Sequence, residues 1–269
     1  TSYDDADRLH TYAAAGDHTI TIDGLLEAMS FNNAGDKDKI LSIPNLGDVG
    51  WTNFRYAFAG CQNLSSVIGG VTSNVIDMYA MFDGAPNAAP DVSTWDTSSV
   101  TGMRSMFAGA SMARPDTSGW DTSSVTDMHS MFYGAALANP DTSGWNTSNV
   151  TNMGMMFREA SVANPDTSNW NTSNVTDMNM MFRSALEANP DTSGWDTSSV
   201  TNMGSLFMFA ESANPDTSGW DTSNVTDMSR MFRRATIATP DTSGWDTSSV
   251  TTMFEMFYGA EAAHPDTTH

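Results

Sequence analysis

The chain holds a single cysteine, Cys61, in 269 residues. An intramolecular disulfide framework is excluded, and no Cys/His cluster has the spacing of a zinc site. Basic residues are also scarce. Eleven Lys and Arg stand against 32 Asp and Glu, a formal charge of −21, and the only lysines are Lys37 and Lys39. So acidic a surface repels phosphate backbones and anionic headgroups, which argues against nucleic acid and membrane surfaces as partners. Cationic ligands, metal ions or a salty medium suit it better. No stretch approaches the roughly 20 consecutive apolar residues of a membrane span. The opening TSYDDADRLH has neither the basic start nor the apolar run of a signal peptide. The chain starts without Met and stops at PDTTH in mid-repeat, so it reads as a segment of a longer protein.

What the chain has in abundance is repetition. The 25 residues 125–149, VTDMHSMFYGAALANPDTSGWNTSN, recur without insertion or deletion at Val100, Val125, Val150, Val175, Val200, Val225 and Val250, with a looser copy at Val75. A fixed period in this range is the mark of a solenoid, whose coils bury their apolar sides only by stacking. Residues 51–74 read as a degenerate coil of 24 residues, aligning Phe54 with Met78, Ala57 with Met81, Phe58 with Phe82 and Cys61 with Ala85. Cys61 thus replaces an Ala, which suits a small buried thiol rather than a nucleophile. Residues 25–50 lack the period and read as an N-terminal cap, with a strand over 40–46 closed at Pro44-Asn45.

Inside one repeat, Val125, Met128, Met131, Phe132, Ala135 and Ala138 fall on one helical stripe. The spacing predicts a short helix over about 127–136, capped by Ser124 or Thr126 and stopped near Gly134. Pro140 ends any helix, and 141–145 reads as an extended segment with Trp145 inward. Asn146 to Asn149 forms the second corner. The expected fold class is an α/β solenoid, a leucine-rich-repeat-like stack of about nine coils with a parallel sheet on one face and short helical turns on the other. Coils start near 51, 75, 100, 125, 150, 175, 200, 225 and 250.

The run from Trp120 to Ala135, WDTSSVTDMHSMFYGA, resembles the 25-residue repeat of bacterial surface proteins, a relative of BspA-type leucine-rich repeats. The stretch from Phe54 to Val67 resembles the BspA-type repeat itself. The family usually carries Phe-Asn-Gln-Asp-Ile-Ser before the Trp, where this chain has Ala-Asn-Pro-Asp-Thr-Ser, as at 138–143. Two apolar anchors per coil are thereby lost. The resemblance implies an extracellular adhesion or interaction module without catalytic residues. Residues 1–24, with His10, Tyr12, Gly16, Ile20 and Ile22, resemble the closing strands of a PKD-like β domain, and a short strand is expected at 19–22.

Stacking turns constant positions into columns. The Trp column (Trp95 to Trp245) and the Met and Phe columns suit a core. The Asp column after Pro comprises Asp116, Asp141, Asp166, Asp191, Asp216 and Asp241, extended at its ends by Asp91 and Asp266. Unit charges roughly 4.8 Å apart repel by about 0.9 kcal/mol in bulk water, so something must compensate. Two answers stay open: hydrogen bonds from each Asp-Thr-Ser turn, or Ca²⁺ held between coils. Thr117, Thr142, Thr167, Thr192, Thr217 and Thr242 either form an outward hydroxyl array, as in ice-binding solenoids, or point inward.

Function is sought where the copies differ. The variable pairs are Arg104-Ser105, His129-Ser130, Gly154-Met155, Asn179-Met180, Gly204-Ser205, Ser229-Arg230 and Phe254-Glu255, and a second set spans Ala108-Gly109 to Tyr258-Gly259. Among them Arg158, Arg183, Arg233, Arg234, Tyr133, Phe209, Phe254 and Tyr258 are the candidate binding residues, because arginines and aromatics are common interface anchors. No Ser/His/Asp or Cys/His arrangement is visible, and the histidines are scattered. The reading is a non-catalytic module of a secreted or cell-surface bacterial protein that binds a protein or glycan. The alternatives are a spacer stiffened by Ca²⁺ and an ice-binding solenoid. An uncapped terminal coil also allows self-association.

Overall fold

The computed structural model describes residues 13–265. His10 and Tyr12 of the PKD-like pattern, and Asp266 of the Asp column, lie outside them. The chain stacks coil on coil through single parallel bridges, one rung per coil: Ala28 to Asn53, Asp77, Gly102, Asp127, Asn152, Asp177, Asn202, Asp227 and Thr252. The step from Asn53 to Asp77 is the 24-residue coil that the alignment of Phe58 with Phe82 requires. Those two rings stack at 5.5 Å.

The first rung already involves residues 25–50, which the sequence presents as a cap out of phase with the repeat. Ala28 pairs with Asn53, and Leu26, Met29 and Phe31 pack against the core. In place of the strand over 40–46 there is a two-residue strand β1, Ser42–Ile43, paired in parallel with β2, Ser66–Val67. Residues 17–22 form no strand, and Ile20 and Ile22 stand exposed.

The expected helix and sheet faces do not form. Among the described residues there is no α-helix, one 3-10 helix at Lys37–Lys39, and one sheet, the β1–β2 pair. The physical reason lies in alternate amides. In the coil at 125–149, the amides of Met128, Ser130, Phe132 and Gly134 reach across to carbonyls of the next coil, at Asn152, Gly154, Met156 and Arg158. Those of Met131, Tyr133 and Ala135 turn back three residues, to Met128, Ser130 and Phe132. The side is a chain of β-turns. Ser130 (φ 57°) and Gly134 (φ 65°) take the left-handed conformation that a type II turn needs at its third residue and an α-helix forbids.

Opposite this side, the proposed parallel sheet is replaced by threonine hydroxyls. Thr117, Thr142, Thr167, Thr192 and Thr217 are buried, and each Oγ1 donates to a main-chain carbonyl of the next coil at 2.6–2.7 Å. Thr97, Thr122, Thr147, Thr172, Thr197 and Thr222 do the same at 2.9–3.0 Å. Each of these Thr side chains therefore supplies a hydrogen bond between coils from a buried position. At the corner Asn139, Asn164, Asn189 and Asn214 form a third ladder, each Oδ1 accepting the amide 25 residues on.

Between the two sides runs a core of columns. Phe107, Phe132, Phe157, Phe182, Phe207 and Phe232 are fully buried and stack at 5.5–5.7 Å. Trp120, Trp145 and Trp170, and likewise Trp195, Trp220 and Trp245, stack nearly parallel beside them at 6.2–6.5 Å. The stripe from Val125 to Ala138 read from the sequence is the buried set, although no helix carries it.

The left-handed position that is Gly in Gly84, Gly109, Gly134 and Gly259 is Glu159, Ser184, Phe209 and Arg234 in the coils between, with φ of 58–61°. A side chain there costs roughly 1–2 kcal/mol. Ser184→Gly is expected to stabilise the chain by about 1 kcal/mol net of the extra backbone entropy of Gly, and urea unfolding of the two chains measures it.

Candidate functional site

The flank made by the β-turn chain is where the copies differ. Arg55, Arg104, Arg158, Arg183, Arg230, Arg233 and Arg234 all lie on it, and of the described arginines only Arg114 lies elsewhere. From residue 102 on, six of these arginines meet five acids: Asp127, Asp177, Asp227, Glu159 and Glu255. The flank is close to neutral, while the opposite side carries the Asp columns of a chain with charge −21. Neutrality with arginine, aromatic and methionine side chains is the composition of a protein interface.

Most candidate residues meet across coils. The Arg158 guanidinium lies 4.9 Å from the Tyr133 ring centroid and 3.0 Å from Glu159. Arg233 stands over Tyr258 at 5.2 Å and pairs with Glu255, which Arg230 also reaches at 3.2 Å. Arg230 covers Phe254 at 4.9 Å, and Arg234 lies 5.7 Å from Phe209. Phe254 and Tyr258 are more than half exposed. Arg183 differs from the others. It faces neither a ring nor a carboxylate: its Nη1 donates to the Met180 sulfur at 3.9 Å, and its buried Nε, like that of Arg233, has no partner.

Two features of this flank are set by packing. A Cβ on Gly154 would sit 3.1 Å from the His129 ring, and one on Gly204 would sit 2.9 Å from Asp227 Oδ2. Glycine at 154 and 204 therefore leaves room for the side chains of His129, Asn179 and Asp227 in the adjoining coils. The rung residues alternate likewise, Asp127, Asn152, Asp177, Asn202, Asp227, so that no two charges adjoin along the ladder. Burial first, then Arg104, holds the His129 imidazole below its ordinary pKa.

The Asp column stands on the other side, exposed. Asp116, Asp141, Asp166, Asp191, Asp216 and Asp241 each accept through Oδ1 the amide and the hydroxyl of the Ser two residues on, the hydroxyl at 2.7 Å. These bonds, the hydroxyl first, hold the carboxyls of Asp141, Asp166, Asp191 and Asp216 below their ordinary pKa. Each turn thus gives two donors to Oδ1 of its own carboxylate. Among the described residues no three His, Cys, Asp or Glu side chains converge on a metal position. Calcium on this column would have to bridge single carboxylates of successive coils.

The threonines of the ice-binding alternative, Thr117 to Thr242, are buried rather than outward. A different, exposed column runs Thr101, Thr126, Thr151, Thr176, Thr201, Thr226, Thr251, and each hydroxyl donates to a carbonyl of the preceding coil. Cys61 is buried in the Ala column, where desolvation raises its thiol to about 11, so it carries no nucleophile.

One further variable set lies outside the candidate residues. Positions 111–112, 136–137, 161–162, 186–187, 211–212, 236–237 and 261–262 also differ from copy to copy, and they edge the arginine flank at the corner. Met112, Leu186 and Ile237 stand exposed there. Their variation was the available signal.

No curated protein and no solved structure matches the chain. The family model described as "Mycoplasma protein of unknown function, DUF285" matches twice in tandem, over residues 52–170 and 155–269, which together span the whole stack from the degenerate coil onward. The chain belongs to that family.

Proposed function

We propose that this chain is a non-catalytic interaction module of a secreted or cell-surface bacterial protein, and that it attaches through the arginine and aromatic flank. The observation that carries the reading is a division of labour among columns. Core and threonine columns keep their residue type and hold coils together by contact or hydrogen bond, and the aspartate column keeps its type with each carboxylate bonded inside its own turn. Residue identity drifts on the flank and its corner, the near-neutral part of an acidic surface. The likeness to BspA-type surface repeats supports the extracellular setting and adhesion.

The test is a chain carrying Arg233→Ala, Arg234→Ala and Tyr258→Ala, measured for attachment to cells or matrix and for thermal unfolding. Attachment falls at least tenfold while Tm moves by no more than about 2–4 °C, since Tyr258 is exposed and Glu255, part-buried, keeps Arg230 as its partner. Loss of attachment only in parallel with loss of Tm contradicts the reading.

A spacer stiffened by Ca²⁺ is the second reading, favoured by the exposed carboxylate column. It predicts a calcium-specific rise in Tm of several degrees over EDTA, by mass action on the folded state. With each carboxylate bonded to its own turn, the expected result is a shift of a degree or less, no larger in Ca²⁺ than in Mg²⁺.

A further inference from the structure

The column at positions 133, 158, 183, 208, 233 and 258 reads Tyr, Arg, Arg, Met, Arg, Tyr. Its two ends are closed on themselves. Arg158 stacks on Tyr133 and pairs with Glu159, and Arg233 stacks on Tyr258 and pairs with Glu255. Arg183 in the middle has neither a ring nor a carboxylate. Its contact is the Met180 sulfur, which Arg158 Nη1 also touches at 3.7 Å, so two guanidinium groups crowd one thioether. In a chain with 32 acids, a half-buried guanidinium without a counter-ion and with a buried unpartnered Nε is a cost in the free protein. An incoming carboxylate removes it.

We propose that Arg183 is the anchor of the flank and takes one carboxylate of a peptide segment in a bidentate grip. The surroundings define the rest of that segment. Met155, Met180 and Met208, with Phe209 on one side and exposed Leu186 at the corner, form an adaptable apolar floor. The partner therefore presents a single carboxylate among apolar side chains. A polyanion is repelled by the Asp columns, whereas one carboxylate delivered to a planar fork is held by short, charge-assisted bonds. The carboxylate comes from an Asp or Glu side chain or from a chain terminus; the grip is the same. This inference rests on the flank being the attachment surface.

The experiment displays short peptides, each with one Glu among apolar residues, beside their Gln twins with amidated ends and Gln twins with free C-termini. Binding of the whole chain is then compared with that of Arg183→Gln and Arg183→Lys. Glu peptides are expected to bind at least tenfold more tightly than amidated Gln twins. The advantage vanishes in Arg183→Gln and is only partly kept by Arg183→Lys, which supplies charge without the fork. Tm does not fall in either, because no carboxylate of the protein loses a partner, and it rises slightly in Arg183→Gln, which removes the unpaired charge. Retention of the free-acid Gln twins alone assigns the grip to a chain terminus. Equal binding of Glu and amidated Gln peptides with no retention of the free acids, an advantage that survives Arg183→Gln, or Arg183-dependent binding of oligogalacturonate but of no peptide would overturn the proposal. If Arg183→Gln attaches to cells normally while the Arg233/Arg234/Tyr258 variant does not, the flank still binds and the anchor at Arg183 falls.

Discussion

Phe157→Ala lowers stability by about 3–5 kcal/mol, the usual cost of emptying a buried aromatic site. Phe157 is fully buried, with Phe132 and Phe182 stacked on either side at 5.5 Å. Neither neighbour can fold into the gap, since each is held by its own coil. In a stack where coils touch only their neighbours, the lost contact also weakens the coupling between two halves. Thermal unfolding should therefore broaden or split as well as shift down. Met156→Leu beside it is a control, expected to cost under about 1.5 kcal/mol, because the chain already carries Leu206 at that position of another coil. A variant Phe157→Ala that unfolds as sharply and as late as the parent contradicts the continuous core.

Acidification should destabilise the chain, and the sign decides what the Asp columns do. The carboxyls of Asp91, Asp96, Asp121, Asp141, Asp166, Asp191, Asp196, Asp216, Asp221 and Asp246 are all held below their ordinary pKa, by the Ser hydroxyl first and its amide second. A carboxyl with a lowered folded-state pKa stabilises the fold fully above its unfolded value of about 4 and loses that contribution as pH falls through and below it. Each group is exposed and contributes modestly, but the loss recurs in every coil. Tm is expected to hold between pH 7 and pH 5 and to drop steeply between pH 4 and pH 2. Were like-charge repulsion along the columns the dominant effect, protonation would relieve it and Tm would rise instead.

Much of this was legible in the sequence because a repeat converts position into geometry. The 25-residue period gives the stacking, the 24-residue spacing from Phe58 to Phe82 gives the register of the degenerate coil, and the stripe from Val125 to Ala138 gives the buried set. The element carrying that stripe was not legible. Inward residues at every third or fourth position fit a helix and a chain of β-turns equally well. What separates them is where alternate amides go, and here Ser130 and Gly134 in left-handed conformation send half of them to the next coil. The recurrent glycine at 84, 109, 134 and 259 was the local sign of it. The sheet failed for a related reason. Thr142 and Thr147 look like strand residues, yet their hydroxyls, rather than strand amides, bond the next coil. Residues 25–50 hid their place in the stack because Leu26, Met29 and Phe31, which pack on the core beside the Ala28–Asn53 rung, do not follow the 25-residue pattern.

At the candidate site, the listing of arginines and aromatics as outward and variable was readable from copy-to-copy differences. Their pairing across coils was not. That Arg158 and Arg233 are closed by Tyr133, Glu159, Tyr258 and Glu255, and Arg183 is left open, depends on which residues stand one coil apart on a turn chain.

The central claim is that constant columns hold the fold and the variable flank attaches. One assay tests it directly: attachment of two variants in parallel, Arg158→Ala/Arg183→Ala/Arg233→Ala on the flank and Asp141→Asn/Asp166→Asn/Asp191→Asn on the opposite side. The flank variant is expected to lose attachment at nearly unchanged Tm, and the aspartate variant to attach normally. Normal attachment by the flank variant together with loss in the aspartate variant would contradict the account and make the carboxylate columns the working surface.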